Sequence, residues 1–479
     1  MASEETPLLV SNAELEHERI YDRFSPQRKR VIVALVSGSA MLPMIAAGCF
    51  IPSVQAIARD LDTTGEVVSL GVSISIFGAA LGAMFFATYS TFYGRRPMYL
   101  VGLPFLCAGS IGLSRANTVT QLMIFRFIQA WGSSGGFAVG GGVIGDIYKL
   151  SERGFSMGIF FSTSLLGNAL APVVGGWGAR YASWRHVQLG IFVFGLLVLM
   201  GVVTLLPETS HPGSRGIDKL LKAEEDSEDD RVRNEISAPQ SKWRWVWLNP
   251  FSCIYLCRAP NILFVTMAAS ITLYTDYVLL VPIAYTIGAK YDITNEAILG
   301  ACFFPVGLGN ILGAPLAGWL ADRVVIKYRA QRGGVWVPED RLRATLVGGA
   351  ILVPLSVILC GLFTTYIPGS LGLTLNLISF FCNGVGVDLV LSPCAAYLVD
   401  VVHSRSAEVI AGTVGLRSFF LSSAVSVIIP SIHKFGLIAT NTVVGVLAWA
   451  GVGLIWVTIQ HGARLRAVVD VGFSTIETT

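Results

Sequence analysis

The chain has 479 residues, 53% of them hydrophobic and only 14% charged, where soluble domains carry roughly 25% charged residues. At a mean hydropathy of +0.64 no soluble fold hides that much apolar surface. A formal charge of +3 with an isoelectric point near 8.4 is too mild for nucleic-acid binding, which needs a concentrated basic face.

Residues 1–30 read as a polar tail. It begins acidic and ends basic at Arg28-Lys29-Arg30, without the short apolar run and small-residue cleavage site of a removable signal peptide. The first apolar helix is therefore expected to remain in the protein. Glu4-Glu5-Thr6-Pro7-Leu8-Leu9 has the form of an acidic dileucine sorting signal, which sets a vacuolar or endosomal membrane beside the cell membrane as an address.

Crossing about 30 Å of hydrocarbon takes roughly 20 apolar residues in a helix, because lipid satisfies no exposed backbone group. Twelve segments meet that need: 31–53, 68–90, 98–115, 120–145, 155–178, 187–206, 260–285, 297–320, 344–366, 370–397, 408–430 and 437–460. Alternate connections carry most of the Lys and Arg, so the positive-inside rule puts both termini in the cytoplasm. The expected architecture is an all-α integral membrane protein with twelve transmembrane helices in two pseudo-symmetric six-helix bundles, 31–206 and 260–460. Between them, 207–259 reads as a cytoplasmic linker, partly disordered at its acidic run Glu224-Glu225-Asp226-Ser227-Glu228-Asp229-Asp230, and 461–479 as a cytoplasmic tail. The halves echo each other. Tyr93-Gly94-Arg95-Arg96-Pro97 follows the second helix, Gly318-Trp319-Leu320-Ala321-Asp322-Arg323 the eighth, and Asp146 and Asp400 end the fourth and tenth. Such repetition at half-chain spacing puts a ligand near mid-membrane, between the halves.

An ionised side chain deep in a bilayer must face a cavity or a partner. Arg126 stands within the fourth helix. Asp276 in the seventh and Asp388 in the tenth are the carboxylates near mid-membrane, where a carboxyl group can pick up and release a proton. Arg417 in the eleventh lies one or two turns above the cytoplasmic end, within reach of the interface or of a partner near a gate. Trp131, Tyr274, Tyr277, Asn376 and Asn383 could stack on or hydrogen-bond an organic ligand. The eight cysteines lack the spacing of a disulfide framework or a zinc site and read as packing residues. Gly140-Gly141-Gly142-Val143-Ile144-Gly145 matches dinucleotide-binding glycine spacing, but it lies inside an apolar helix with no strand before it. No phosphate-binding Gly-x-x-x-x-Gly-Lys-Ser/Thr run is present, so ATP-driven work by this chain alone is not expected. No cofactor, no metal site and no enzymatic constellation of nucleophile, base and oxyanion donors is expected.

Several of these residues look like those of the major facilitator superfamily, and in particular its fungal twelve-helix drug:proton antiporter family, over nearly the whole chain. Ala87 through Pro97 is similar to the family's Gly-x-Leu-x-Asp-Arg-x-Gly-Arg-Arg-Pro loop, with Gly94, Arg95, Arg96 and Pro97 matching and Ala87 and Thr91 at the Gly and Asp positions. Arg126, Gln129 and Gly132 match Arg-x-x-Gln-x-x-Gly. The run from Gly167 to Gly176, with Pro172 and Gly175, resembles the antiporter signature, with Ala171 where glycine is usual. Pro207-Glu208-Thr209, Pro338-Glu339-Asp340-Arg341-Leu342-Arg343 and Tyr397-Leu398-Val399-Asp400 are similar to fungal members.

The resemblance implies the major facilitator fold and a proton-coupled secondary transporter that exports a drug, secondary metabolite or organic acid by alternating access. Arg126 and Gln129 would serve proton coupling or substrate contact. Gly94, Arg95, Arg96 and Asp146, with Asp322, Arg323 and Asp400 in the second half, would form gating charge clusters. Uptake of a small nutrient by a symporter or uniporter, or a transporter-like receptor that moves nothing, are the alternatives on the same fold. A buried arginine suits an organic acid, and Asp276 and Asp388 with aromatics suit a cationic drug or polyamine. The partners expected are that small organic substrate, protons and the lipid bilayer, with no nucleic acid, around a monomer.

Overall fold

The computed structural model describes residues 21, 23–149, 152–211, 213, 215–221, 245–402 and 406–469; the dileucine-like segment and the acidic run lie outside them. Twelve membrane-length helices follow in order: α1 (Pro26–Asp60), α2 (Gly65–Tyr93), α3 (Arg95–Ser114), α4 (Val119–Ile147), α5 (Arg153–Tyr181), α6 (Trp184–Leu205), α7 (Pro260–Gly288), α8 (Glu296–Gln331), α9 (Pro338–Tyr366), α10 (Gly369–Val401), α11 (Glu408–Phe435) and α12 (Leu437–Val468). Eleven are long and apolar enough to cross a membrane. The exception is α4, 29 residues long, whose middle is filled by Arg126, Gln129, Ser133, Ser134 and glycines.

The helix starts carry the expected chemistry. Side chains of Ser25, Thr64, Thr118, Ser183 and Asn295 accept hydrogen bonds from first-turn N–H groups, which no carbonyl inside the helix can reach. Pro260 sits at the first position of α7, where its missing N–H is no loss. Several helices outrun the expected spans. Counting apolar residues locates the part of a helix inside lipid, whereas backbone hydrogen bonding continues into the aqueous layer. Thus α8 runs on to Gln331, and α12 continues past a break at His461 (φ −119°, ψ 15°) to Val468, through residues expected in the tail.

Small residues bring the helices together. A Cβ on Gly109 of α3 would stand 2.5 Å from the Gln129 backbone nitrogen of α4, and one on Gly136 of α4 2.3 Å from the Ser39 carbonyl oxygen of α1. Without a hydrophobic force between helices in lipid, such close backbone approach is a main source of association. Large apolar side chains such as Leu197, Met200, Leu312 and Val446 remain exposed on the outer faces, the surface that lipid covers.

Helices α1–α6 pack among themselves, as do α7–α12, and the halves meet along two seams, α2 with α11 and α5 with α8. The face where α1 begins and α12 ends is termed proximal, the opposite one distal. On the distal side one apolar core crosses the seams, joining Phe50, Val54, Val72 and Leu122 to Leu279, Phe303, Ile428 and Ile429. On the proximal side each half has its own core, around Val36, Tyr99 and Val143 in the first and around Ile262, Tyr397 and Ile459 in the second. The segment 245–258 spans the halves there. Trp245 stacks on Tyr89 and Tyr93 of α2, and the Leu248 N–H donates to the Tyr89 hydroxyl at 3.2 Å. The turn Ser252–Arg258 lies against α11, where a Cβ on Gly412 would come within 2.2 Å of the Cys253 carbonyl oxygen.

Candidate functional site

Between the halves, under the distal core, lies a partly open cavity of about 120 Å³. Its wall is contributed by five helices of both halves, including Gly48 and Ile51 (α1), Ser75 (α2), Asn168 and Pro172 (α5), Asp276 and Tyr277 (α7) and Gly307 (α8). Of the four charged candidates only Asp276 is on this wall.

Arg126 stands directly behind it, 1% exposed. One guanidinium nitrogen, Nη1, donates to the Ala46 carbonyl and to Gln129 Oε1, both at 2.9 Å, and Nη2 donates to Ser75 Oγ at 3.0 Å. The Phe50 ring lies under the guanidinium, 4.2 Å from carbon to centroid. Gln129 extends the network, donating to Ser110 Oγ of α3 at 2.9 Å and to Gln188 Oε1 of α6 at 2.8 Å. A buried cation is thus held by dipoles of α1, α2 and α4 and a ring face rather than by a carboxylate. Ser75, on the cavity wall, is its link to the cavity. Neither Ser75 nor Gln188 forms part of a motif, and no pattern in the sequence marks them.

The second half repeats the arrangement in weaker form. Asn383 occupies the position before Asp400 that Gln129 occupies before Asp146, and it too ties its neighbours, donating to Ser356 Oγ of α9 at 3.0 Å and Thr275 Oγ1 of α7 at 3.3 Å. It is fully buried and does not line the cavity. Asp276 Oδ1 and Asp388 Oδ2 are buried without a hydrogen-bond partner. The two carboxylates are electrostatic neighbours, so two negative charges there repel. Asp388 itself faces α8 at Gly313. Arg417, half-buried with its Nε unpartnered, interacts electrostatically with Tyr277, as does Asp276. Tyr274 packs against the core that crosses the seam. Trp131 is enclosed by Phe85, Phe86 and Phe105, and Asn376 is hydrogen-bonded to Thr364 and Tyr291.

The α5 signature forms the wall where three helices meet. Gly167 faces Met41 and Gly175 faces Cys49 of α1, whereas Gly176 and Pro172 face α8: a Cβ on Gly176 would stand 2.2 Å from the Glu296 carbonyl oxygen, and one on Gly300 2.4 Å from that of Pro172.

The proximal pairs Arg95–Asp146 and Arg341–Asp400 each lie within one half. Arg95 Nε donates to Asp146 Oδ2 at 3.0 Å, and Arg341 Nε donates to Asp400 Oδ2 at 2.8 Å, so the start of α3 is pinned to the end of α4 and the start of α9 to the end of α10. Arg341 Nη1 also reaches Asp322 at 3.5 Å. Arg323 lies over the Trp319 ring instead. Where the first half has Thr91, Arg95 uses Ser90 Oγ at 3.0 Å. Gly94 adopts φ +106°, a left-handed conformation suited to glycine, and a Cβ there would stand 2.6 Å from Glu208 Oε2. That carboxylate accepts the N–H groups of Arg95 at 2.9 Å and Arg96 at 3.1 Å; negative charge at a helix N-terminus is stabilising. Glu208 was legible only as part of Pro207-Glu208-Thr209, without a role. Glu208→Ala is expected to cost about 1–2 kcal/mol, seen as a lower thermal midpoint of the purified protein, and an unchanged midpoint would refute this capping role.

The distal face carries charges that the motifs do not mark. Arg59 at the end of α1 donates to Glu296 at the start of α8, 2.6 Å away, and His433 of α11 contacts Glu66 of α2. Asp60 accepts from Trp184 Nε1 at 2.9 Å and pairs with Arg185. Among the described residues no group of three or more His, Cys, Asp or Glu could hold a metal ion.

The profile of the Major Facilitator Superfamily matches residues 36–430. An efflux pump, radE, from Floropilus chiversii is 24% identical over 447 residues, spanning 92% of this chain and 82% of its own length. Citrate exporter 1 from Aspergillus niger is 25% identical over 305 residues, 62% of this chain and 58% of that one. The xylose transporter XylE from E. coli, in a partially occluded inward-open conformation, superposes with a TM-score of 0.63 at 14% identity, covering 90% of this chain and 99% of its own.

Proposed function

This chain belongs to the Major Facilitator Superfamily and is a multi-pass membrane transporter, and we propose that it exports a small organic molecule by proton-driven alternating access. The observation that carries the reading is Asp276: a carboxylate with an unpartnered, buried oxygen on the wall of a cavity built by both halves, with Asp388 as its electrostatic neighbour. Substrate and proton need only favour different states of the two bundles for one to drive the other. Export is favoured over uptake by the α5 signature at the seam and by efflux pumps and a citrate exporter among the relatives. The excess of Lys and Arg on the proximal side supports a cytoplasmic proximal face, and the cell membrane is the proposed location.

In this reading the separate proximal cores and the shared distal core describe a cytoplasm-facing state. With Arg126 behind the wall, no cationic side chain among the described residues lines the cavity, which favours a neutral or cationic substrate over an organic acid. The test is efflux from a deletion host expressing the chain, comparing radiolabelled organic acids and cationic drugs with and without a protonophore. Protonophore-sensitive export of the cations is the expected result. Correctly localised protein that accumulates a compound, or moves none, overturns the export reading.

A further inference from the structure

Among the described residues, each of the two seams between the halves carries a charged side-chain pair at the distal face. On the α5–α8 side, Arg59 reaches across from α1 to Glu296. On the α2–α11 side, His433 lies against the Glu66 carboxylate, with the Tyr285 ring edge-on at 6.4 Å. By contrast, the proximal pairs Arg95–Asp146 and Arg341–Asp400 join helices of the same half.

The two partners in the first contact differ in exposure. The Arg59 side chain is 69% exposed and that of Glu296 only 7%. Glu296 Oε2 is buried with no hydrogen-bond partner, so Arg59 supplies its neutralising charge. Its backbone is equally confined, its carbonyl pressed against the α5 glycine Gly176. Gln55 Nε2, one turn before Arg59, also crosses the seam, donating to the Ala284 carbonyl at 3.4 Å. When the halves part on this side, Arg59 must leave with α1. Glu296 then stays at the N-terminus of α8, where the helix dipole and entering water stabilise a carboxylate. With its guanidinium in solvent and its carboxylate buried, the contact biases the closed state and is released as water enters the parting seam.

We propose that Glu296, paired with Arg59 across the seam, is a positioning residue that holds the distal face shut, and that breaking the pair shifts the transporter toward its distal-open state. This rests on the alternating-access reading. The test is a distance measurement between spin labels on Tyr181→Cys at the end of α5 and Ile298→Cys in α8, on the full chain in lipid nanodiscs. Glu296→Gln is expected to raise the population with separated labels by about threefold or more, loss of even a fully exposed pair producing a shift of about that size in a two-state equilibrium. The charge swap Arg59→Glu with Glu296→Arg is expected to return it toward the parent distribution. If Glu296→Gln does not fold, Arg59→Gln removes the same pair from its solvent side. Unchanged distributions in the single variants, or a swap that behaves like them, overturn the gate. Loss of proton dependence or of export in the efflux assay would instead overturn the functional reading, and the distances report on the seam independently of it.

Discussion

Replacing Asp276 with asparagine is expected to leave substrate exchange at equal pH intact while gradient-driven export falls roughly 5- to 150-fold, the range of a coupling free energy of about 1–3 kcal/mol. Asparagine keeps the shape of the side chain and its place on the cavity wall but neither gains nor loses a proton. An interaction used by both substrate and proton would lower exchange and driven export together; one used by the proton alone separates them. Asp388→Asn is expected to give a smaller loss, because Asp388 stands off the wall and faces α8 at Gly313. The measurement is flux in reconstituted vesicles with and without an imposed pH gradient. Undiminished gradient-driven export in the Asp276→Asn, Asp388→Asn double variant would remove both carboxylates from the mechanism.

Replacing Arg126 with alanine is expected to lower stability by about 1–3 kcal/mol for each buried acceptor left without a donor. The Ala46 carbonyl and Gln129 Oε1 lose their donor, and a cavity opens beside Phe50. Arg126→Lys keeps the charge but not the fork, because an ammonium cannot address Ala46, Gln129 and Ser75 from a planar group. It should fold better than the alanine variant and still transport poorly, since Ser75 carries the network to the cavity wall. The check is monodispersity and thermal midpoint in detergent, measured beside transport. A stable alanine variant would mean that the network does not organise α1, α2 and α4, and a fully active lysine variant that the fork is dispensable.

The architecture was legible because each crossing needs a run of apolar residues, and eleven such runs stand clear of their neighbours. The twelfth, α4, was placed by its length of largely apolar sequence like the others, although its polar middle keeps its hydropathy below theirs. The first-half charge cluster was legible through its motif spacing. In the second half Arg341 stands in the sequence only as part of the run before α9, and Arg323, the expected cluster member, lies over Trp319. Spacing reveals which residues share a helix but not which helix they face. Asn383 in α10 and Tyr274 in α7 are candidates for ligand contact by residue type, and what the sequence does not reveal is that Asn383 bonds Ser356 and Thr275 and that Tyr274 packs against the shared apolar core. The distal pair is not legible in the sequence for a related reason. Arg59 and Glu296 are single charges at helix ends, more than two hundred positions apart, each indistinguishable in the sequence from an ordinary solvated loop residue.

The polar middle of α4 also bears on how the protein is made. Eleven helices are apolar enough to enter a bilayer by partitioning from the ribosome's insertion channel one at a time. A segment carrying Arg126 and Gln129 gains less from lipid, since a central arginine costs about 2.5–3.5 kcal/mol on insertion scales, and its donors are satisfied by α1, α2, α3 and α6. The first three have already emerged when α4 arrives, but Gln188 of α6 has not. Biogenesis should therefore hold α4 beside the channel until the rest of the half is synthesised, so a nascent chain stopped after α4 would be the form most readily captured by quality control.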